Sequence, residues 1–189
     1  MPAMLGEGVP IDWSCSPLDV LARWPADRRL FMLHSGRLDP QWSRYSVLAE
    51  PTGALRFDGH ATRAIGLEDL PLTSVGDWRN HPLTDLRRAI RTDDGKSLWL
   101  GYLGYDTARW IEKLPTSAAD DRDWPVMQFE RCAGWLVHDA LDNRWTAHGT
   151  YAKDGVPTLA SPDATREYAF TAGPPVPLQS RADYEAGVQ

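Results

Sequence analysis

Cysteine is scarce in this sequence. Cys15 and Cys132 are two residues among 189, far apart, with neither metal-site spacing nor a disulfide framework. That usage suits a reducing compartment, and both thiols read as small buried hydrophobes. Long apolar runs are also missing. Nothing approaches the roughly 20 residues that cross a bilayer, and Met1 to Pro10 carries Glu7 but no basic residue, unlike a signal peptide. The expected location is cytoplasmic, with no membrane partner. There is no basic excess either: 20 Lys plus Arg stand against 26 Asp plus Glu, a net charge of -6, and the arginines are scattered. A nucleic-acid binder normally concentrates such charge on one face, so none is expected as a partner.

Catalytic signatures are equally thin. Gly95-Lys96-Ser97 looks like the end of a phosphate loop, yet position 90 is Ile90 where that loop needs glycine. Gly101-Tyr102-Leu103-Gly104 has the wrong offsets for a dinucleotide fingerprint and reads as close backbone packing. No Gly-x-Ser-x-Gly elbow occurs. His34, His60, His81, His138 and His148 include no pair at helix-ligand spacing and no accompanying cysteine. Asp120, Asp121 and Asp123 read as a solvated turn, because a calcium loop needs a longer run of oxygen ligands. The residues therefore assign this chain no catalytic group, no metal ligand and no cofactor of its own.

What is present is aromatic surface and local punctuation. Nine Trp, six Tyr and four Phe provide rigid apolar area for a core, an interface or a pocket. Ser16-Pro17-Leu18-Asp19 predicts a helix start, with Leu18, Leu21 and Ala22 on one face and Trp24-Pro25 as the stop. Strands are expected at Leu30 to Leu33 and Arg44 to Ala49, and a turn at Pro51-Thr52-Gly53 leads into a third strand, Ala54 to Asp58. A helix from Pro82 presents Leu83, Leu86 and Ile90; an apolar segment runs from Leu98 to Tyr105, and a short helix continues to Leu114-Pro115. Val126 to Asp139 and Arg144 to Tyr151 read as long strands joined at Asp142-Asn143. The class is α+β, antiparallel β-sheets with flanking helices. Residues 1–172 form one domain and 173–189 a Pro-rich connector with a new helix at Ser180 to Asp183. That helix begins an apolar stripe with Tyr184 and Val188 and stops, which leads to the expectation that the chain is cut short of a longer protein.

Several segments, in order, resemble the N-terminal region of component I of the chorismate-using enzymes, the aminodeoxychorismate and anthranilate synthases. They are Leu33-His34-Ser35-Gly36, Ser43-Arg44-Tyr45-Ser46-Val47, Ala49-Glu50-Pro51, His81-Pro82-Leu83, and Gly101 to Asp106 with Arg109 after it. Trp124-Pro125-Val126-Met127, the strand to His138-Asp139, and Ser180 to Tyr184 complete the set. The resemblance implies the N-terminal part of the anthranilate synthase component I-like fold. It also implies a partner C-terminal chorismate-binding domain that holds Mg²⁺, and a glutamine amidotransferase subunit that supplies ammonia. His34, where anthranilate synthases carry Glu, is similar to the aminodeoxychorismate form, which makes 4-amino-4-deoxychorismate for 4-aminobenzoate and folate. By the same resemblance His34, Ser35, Arg44, Tyr45 and Ser46 would line a tryptophan pocket between sheets, although His34 removes the natural partner for an ammonium group. A free-standing amino-acid-binding module is the competing reading.

Overall fold

The structure, a computed structural model, describes residues 8–68, 81–93, 95–114, 124–161, 173–174, 176–177 and 180–187. Two 13-residue strands, β3 (Tyr45–Phe57) and β6 (Met127–Asp139), pair antiparallel along their whole length and form the spine of the molecule. Each is long enough to serve two neighbours. The first half of β3 takes β2 (Phe31–Leu33) and its second half takes β4 (Thr62–Ile65). The first half of β6 takes β5 (Leu98–Leu103), and the second takes β7 (Arg144–Gly149), which in turn takes β1 (Val9–Ile11). The expected antiparallel sheet with flanking helices is thus present, as one continuous sheet.

The Pro51-Thr52-Gly53 segment does not turn. It forms an irregularity inside β3, where Pro51 pairs with Cys132 and Gly53 with Arg131, so one extra residue is absorbed in each strand. Proline survives there because a bulge needs no ladder donor. The two short strands β1 and β4 lie outside the sequence-based expectation, having too few residues to show an alternation. β7 also stops earlier than expected, at Gly149, whose φ of 59° swings the chain into α3 (Thr150–Asp154). After β5 the chain forms a 3₁₀ helix, Tyr105–Trp110, shorter than the helix expected to reach Leu114. A Cβ at Gly101 would overlap the Gln128 carbonyl oxygen, so the close-packing reading of that glycine holds.

Both main helices turn a different face inward from the one their leucines predict. In α1 (Pro17–Ala22) the Ser16 hydroxyl accepts from Asp19 N–H while Asp19 accepts from Ser16 N–H, a complete capping box. Its buried residues are Pro17 and Val20, followed by Trp24, whereas Leu18 and Leu21 are exposed. Val20 and Trp24 are four apart and insert together between Leu48, Leu136 and Trp145, the narrow contact that a six-residue helix can make. In α2 (Pro82–Asp93) the buried stripe is Pro82, Asp85, Ala89 and Asp93, and Ile90 is exposed. Small Ala89 allows close approach to Leu55, Phe57 and Met127. The two carboxylates are tolerated because Asp85 accepts from Thr62 Oγ1 and Asp93 accepts from Ser97 N–H at 2.8 Å.

α4 (Arg181–Gly187) starts where Ser180 and Asp183 predict, with Asp183 N–H donating to Ser180 Oγ at 3.1 Å. None of its residues is buried, and Val188 lies outside the described residues. Asp120, Asp121, Asp123 and most of the Pro-rich connector's approach, residues 162–172, also lie outside them. Among the described residues no helix is long and apolar enough to cross a membrane.

Candidate functional site

The five residues singled out by resemblance sit where β2 ends and β3 begins. Leu33 pairs with Val47, so the next residues of both strands, His34 and Ser35, run alongside Ser46 and Tyr45. His34 Nδ1 lies 3.2 Å from Ser46 Oγ. Ser35 N–H donates to the same oxygen at 3.1 Å, and Ser35 Oγ donates to the Tyr45 carbonyl at 2.6 Å. Since Ser46 Oγ already accepts from Ser35, its own proton is available to a lone pair on Nδ1. Ser46 is buried at 1% exposure, while the His34 ring is open to solvent. Four of the five residues therefore form one cluster, Tyr45 through its carbonyl, in which both serine hydroxyls are committed to neighbouring groups.

Arg44 is engaged elsewhere. Its guanidinium makes a two-pronged contact with Asp139, Nε to Oδ1 at 2.8 Å and Nη2 to Oδ2 at 2.5 Å, and reaches Asp142 at 3.1 Å. The hydrogen bonds from Arg44 hold Asp139 below its ordinary pKa against the opposing pull of partial burial, and the same bonds raise Arg44. The guanidinium carbon also stands 5.1 Å from the centroid of the Tyr45 ring. The acids are invisible to a linear reading of the motif, because Asp139 lies 95 residues away and is brought in only by the Tyr45–Asp139 register.

The sheet's two faces near this cluster differ. Ser46, Leu48, His138 and Trp145 share one face through the pairs Ser46–His138, Leu48–Leu136 and His138–Trp145. On this row His138 Nε2 lies 3.1 Å from Asn143 Oδ1, and the Trp145 indole N–H donates to the Cys15 carbonyl at 2.9 Å. The opposite face carries Tyr45, Val47, Ala49, Trp135 and Val137. Its hydrophobic cluster, completed by Phe31, Leu98, Leu100 and Cys132, draws only on strand residues. Beside it Glu130, fully buried, accepts from Gln128 at 2.7 Å and approaches Arg29 at 3.5 Å and Arg56 at 3.9 Å. Burial, reinforced by the nearby Glu130 charge, pushes the Cys132 thiol up to about 12, so it is an inert packing group as expected. Cys15 is only half-buried, contrary to expectation, because it lies at the rim of the core where the β1–α1 connection passes.

A second ionic network ties the bulged part of β3 to the chain's other elements. Glu50 is gripped through both carboxylate oxygens by Arg28 and accepts from the Tyr151 hydroxyl at 2.8 Å. Partial burial pulls Glu50 upward, but the bonds from Arg28 and Tyr151 outweigh it and leave the carboxylate below its usual range. Among the described residues no three His, Cys, Asp or Glu side chains converge as metal ligands. A cleft of about 440 Å³ lies away from the predicted cluster, between the β1–α1 connection and Val156–Leu159.

No family model matches the chain. A component I-like protein of anthranilate synthase from Synechocystis is 51% identical over 41 residues, covering 22% of this chain and 8% of that protein. Anthranilate synthase component 1 from Arthrobacter globiformis is 27% identical over 126 residues, covering 59% of this chain and 22% of the relative. The crystal structure of anthranilate synthase component I from Streptococcus pneumoniae is 18% identical and overlaps 85% of this chain and 34% of that one, at a TM-score of 0.47. The matched stretches thus span less than a quarter of the length of either curated relative. Over these stretches the chain is similar in sequence to an anthranilate synthase component 1 and to an anthranilate synthase component I-like protein.

Proposed function

We propose that this chain is the N-terminal, non-catalytic part of a chorismate-aminating enzyme, and that the whole protein makes 4-amino-4-deoxychorismate from chorismate and ammonia. The observation that carries the reading is the relationship to component I proteins, strongest in the 41-residue stretch at 51% identity. It is supported by the ordered motifs from Leu33 to Tyr184. His34, in place of the Glu typical of anthranilate synthases, supports the aminodeoxychorismate product. The names of the two relatives favour the second reading, anthranilate. In either case the chorismate-binding residues and the Mg²⁺ that would neutralise substrate carboxylate charge belong to the C-terminal domain, with ammonia delivered by a glutamine amidotransferase.

Within this reading, the His34–Ser35–Ser46 cluster is the counterpart of an amino-acid pocket that is closed by its own hydrogen bonds. It lacks an acid to hold an ammonium, and Arg44 is held by Asp139. Tryptophan is therefore expected to bind weakly, and His34→Glu to strengthen it by about tenfold through one charge-assisted hydrogen bond. Calorimetry on both forms measures this.

The main test is product analysis of the full gene product with chorismate, an ammonium salt and Mg²⁺. Release of 4-amino-4-deoxychorismate is expected, and anthranilate would establish the alternative. Turnover of chorismate by residues 1–189 alone would overturn the non-catalytic assignment.

A further inference from the structure

We propose that the cleft beside α1 is a binding site for a small monocarboxylate with an apolar body. Its walls are the β1–α1 connection, with Asp12 and Trp13, the C-terminal end of α1 at Arg23, and the extended segment Val156 to Leu159. At about 440 Å³ it falls within the roughly 300–1,000 Å³ of small-molecule sites.

The cleft is built, not incidental to a loose loop. Ala160 N–H donates to the Arg23 carbonyl at 2.8 Å, and Arg23 Nε donates back to the Ala160 carbonyl at 2.7 Å. This reciprocal pair clamps the two walls together and sets the orientation of the guanidinium. The terminal nitrogens of Arg23 have no hydrogen-bond partner among the described residues, and although its charge is felt by Asp19 one turn earlier, they leave a guanidinium edge that matches a carboxylate.

The apolar part of the cleft is equally well anchored. Trp13, Val156 and Leu159 all pack on the cluster of Val20, Trp24, Leu136 and Trp145. The Trp13 ring meets Trp145 edge to face, with centroids 5.7 Å apart. A ligand body resting here meets a surface already ordered by the core, so little entropy is lost in shaping the site.

Asp12 defines the selectivity. Its carboxylate lines the same cleft and has no partner among the described residues. It disfavours a second anionic group and disfavours phosphate, while an ammonium on the ligand would be accepted. A plain aromatic acid and an apolar amino acid share the required chemistry. The site does not depend on which reaction the whole protein performs.

The test is calorimetric titration of the full chain with 3-phenylpropionate, L-phenylalanine and inorganic phosphate, with intrinsic tryptophan fluorescence as a second readout. Saturable binding of 3-phenylpropionate is expected, and none of phosphate. Arg23→Gln should weaken it by about tenfold or more, the loss of a charge-assisted pair. Arg23→Lys keeps the charge but not the fork and should lie between the two, which preserves the test if the Gln variant folds poorly. Asp12→Asn should tighten phenylpropionate modestly, by about twofold to threefold, as the loss of a screened repulsion from the cleft wall. If the amino acid is the better occupant, Asp12→Asn weakens phenylalanine selectively. No saturable binding of either carboxylate, unchanged binding in Arg23→Gln and Arg23→Lys, or equal competition by phosphate would overturn the proposal.

Discussion

The two faces of the sheet are built from the same strands but are covered differently. On one, helices supply the second layer: Val20, Trp24 and Tyr151 over Leu48, Leu136 and Trp145, and Leu86 and Ala89 over Leu55, Phe57 and Met127. On the other, the cluster of Ala49, Leu100, Cys132, Trp135 and Val137 consists of strand residues alone, and Leu33 and Tyr102 stand partly open to solvent beside it. It also holds a fully buried carboxylate, Glu130, and a Trp135 indole N–H with no partner among the described residues. Among the described residues both faces keep unpaired buried polar atoms, Trp24 Nε1 and His138 Nδ1 under the helices and Glu130 Oε2 and Trp135 Nε1 on the other side, so the two faces differ in their second layer and not in polar satisfaction.

The contrast can be broken or sharpened by experiment. The largest effect is expected on the helix-covered face. Trp145→Ala removes an indole exposed by only 1%, together with its bond to the Cys15 carbonyl, and should cost about 3–5 kcal/mol in urea unfolding. On the strand-only face, Val137→Ala should cost about 1–2 kcal/mol. The second effect concerns exposed surface. The wild-type chain is expected to bind a hydrophobic dye, and Leu33→Glu with Tyr102→Glu should reduce that fluorescence without lowering the melting temperature.

Acid provides the third probe. Asp139 and Glu50 are held below their ordinary values by Arg44 and by Arg28 with Tyr151, so their stabilisation is full above the ordinary carboxylate range. It is lost as pH falls through the depressed folded values. Glu50→Gln should therefore flatten the acid limb of the stability profile. Asp85 has the opposite sign: burial raises it, so its contribution is most favourable at low pH and is lost as pH rises through the raised value. Asp85→Asn should remove that opposing slope.

The smallest effects compare two Ser-x-x-Asp caps. Ser16→Ala should cost about 1 kcal/mol, because α1 is packed on the core. Ser180→Ala should leave global unfolding unchanged, since α4 buries nothing, and lower only a local helical signal in circular dichroism.

Much of the fold was legible in the chain, for reasons that differ by element. Helix starts at Ser16 and Ser180 were readable because a cap is a contact between residues three apart. The hairpin after Asp139 was readable because Asn143, with φ of 50°, is one of the few residue types that accept that conformation. The Pro51-Thr52-Gly53 segment misled, since turn residues also make bulges, and only a strand pairing across it reveals which. The candidate cluster was legible in part. His34, Ser35, Tyr45 and Ser46 do meet, as adjacent strands require. Arg44 could not be placed, because its partners Asp139 and Asp142 are close only in space.

By itself the sequence determined the local chemistry: the caps, the left-handed turn position, the apolar strands and the scarcity of reactive groups, all settled by neighbours within a few residues. Tertiary structure alone decided which stripe of each helix is buried, which acid holds Arg44, and that Arg23 and Asp12 face one cleft. Those outcomes depend on strand register and on the direction from which distant segments pack, and neither is encoded in any short stretch of chain.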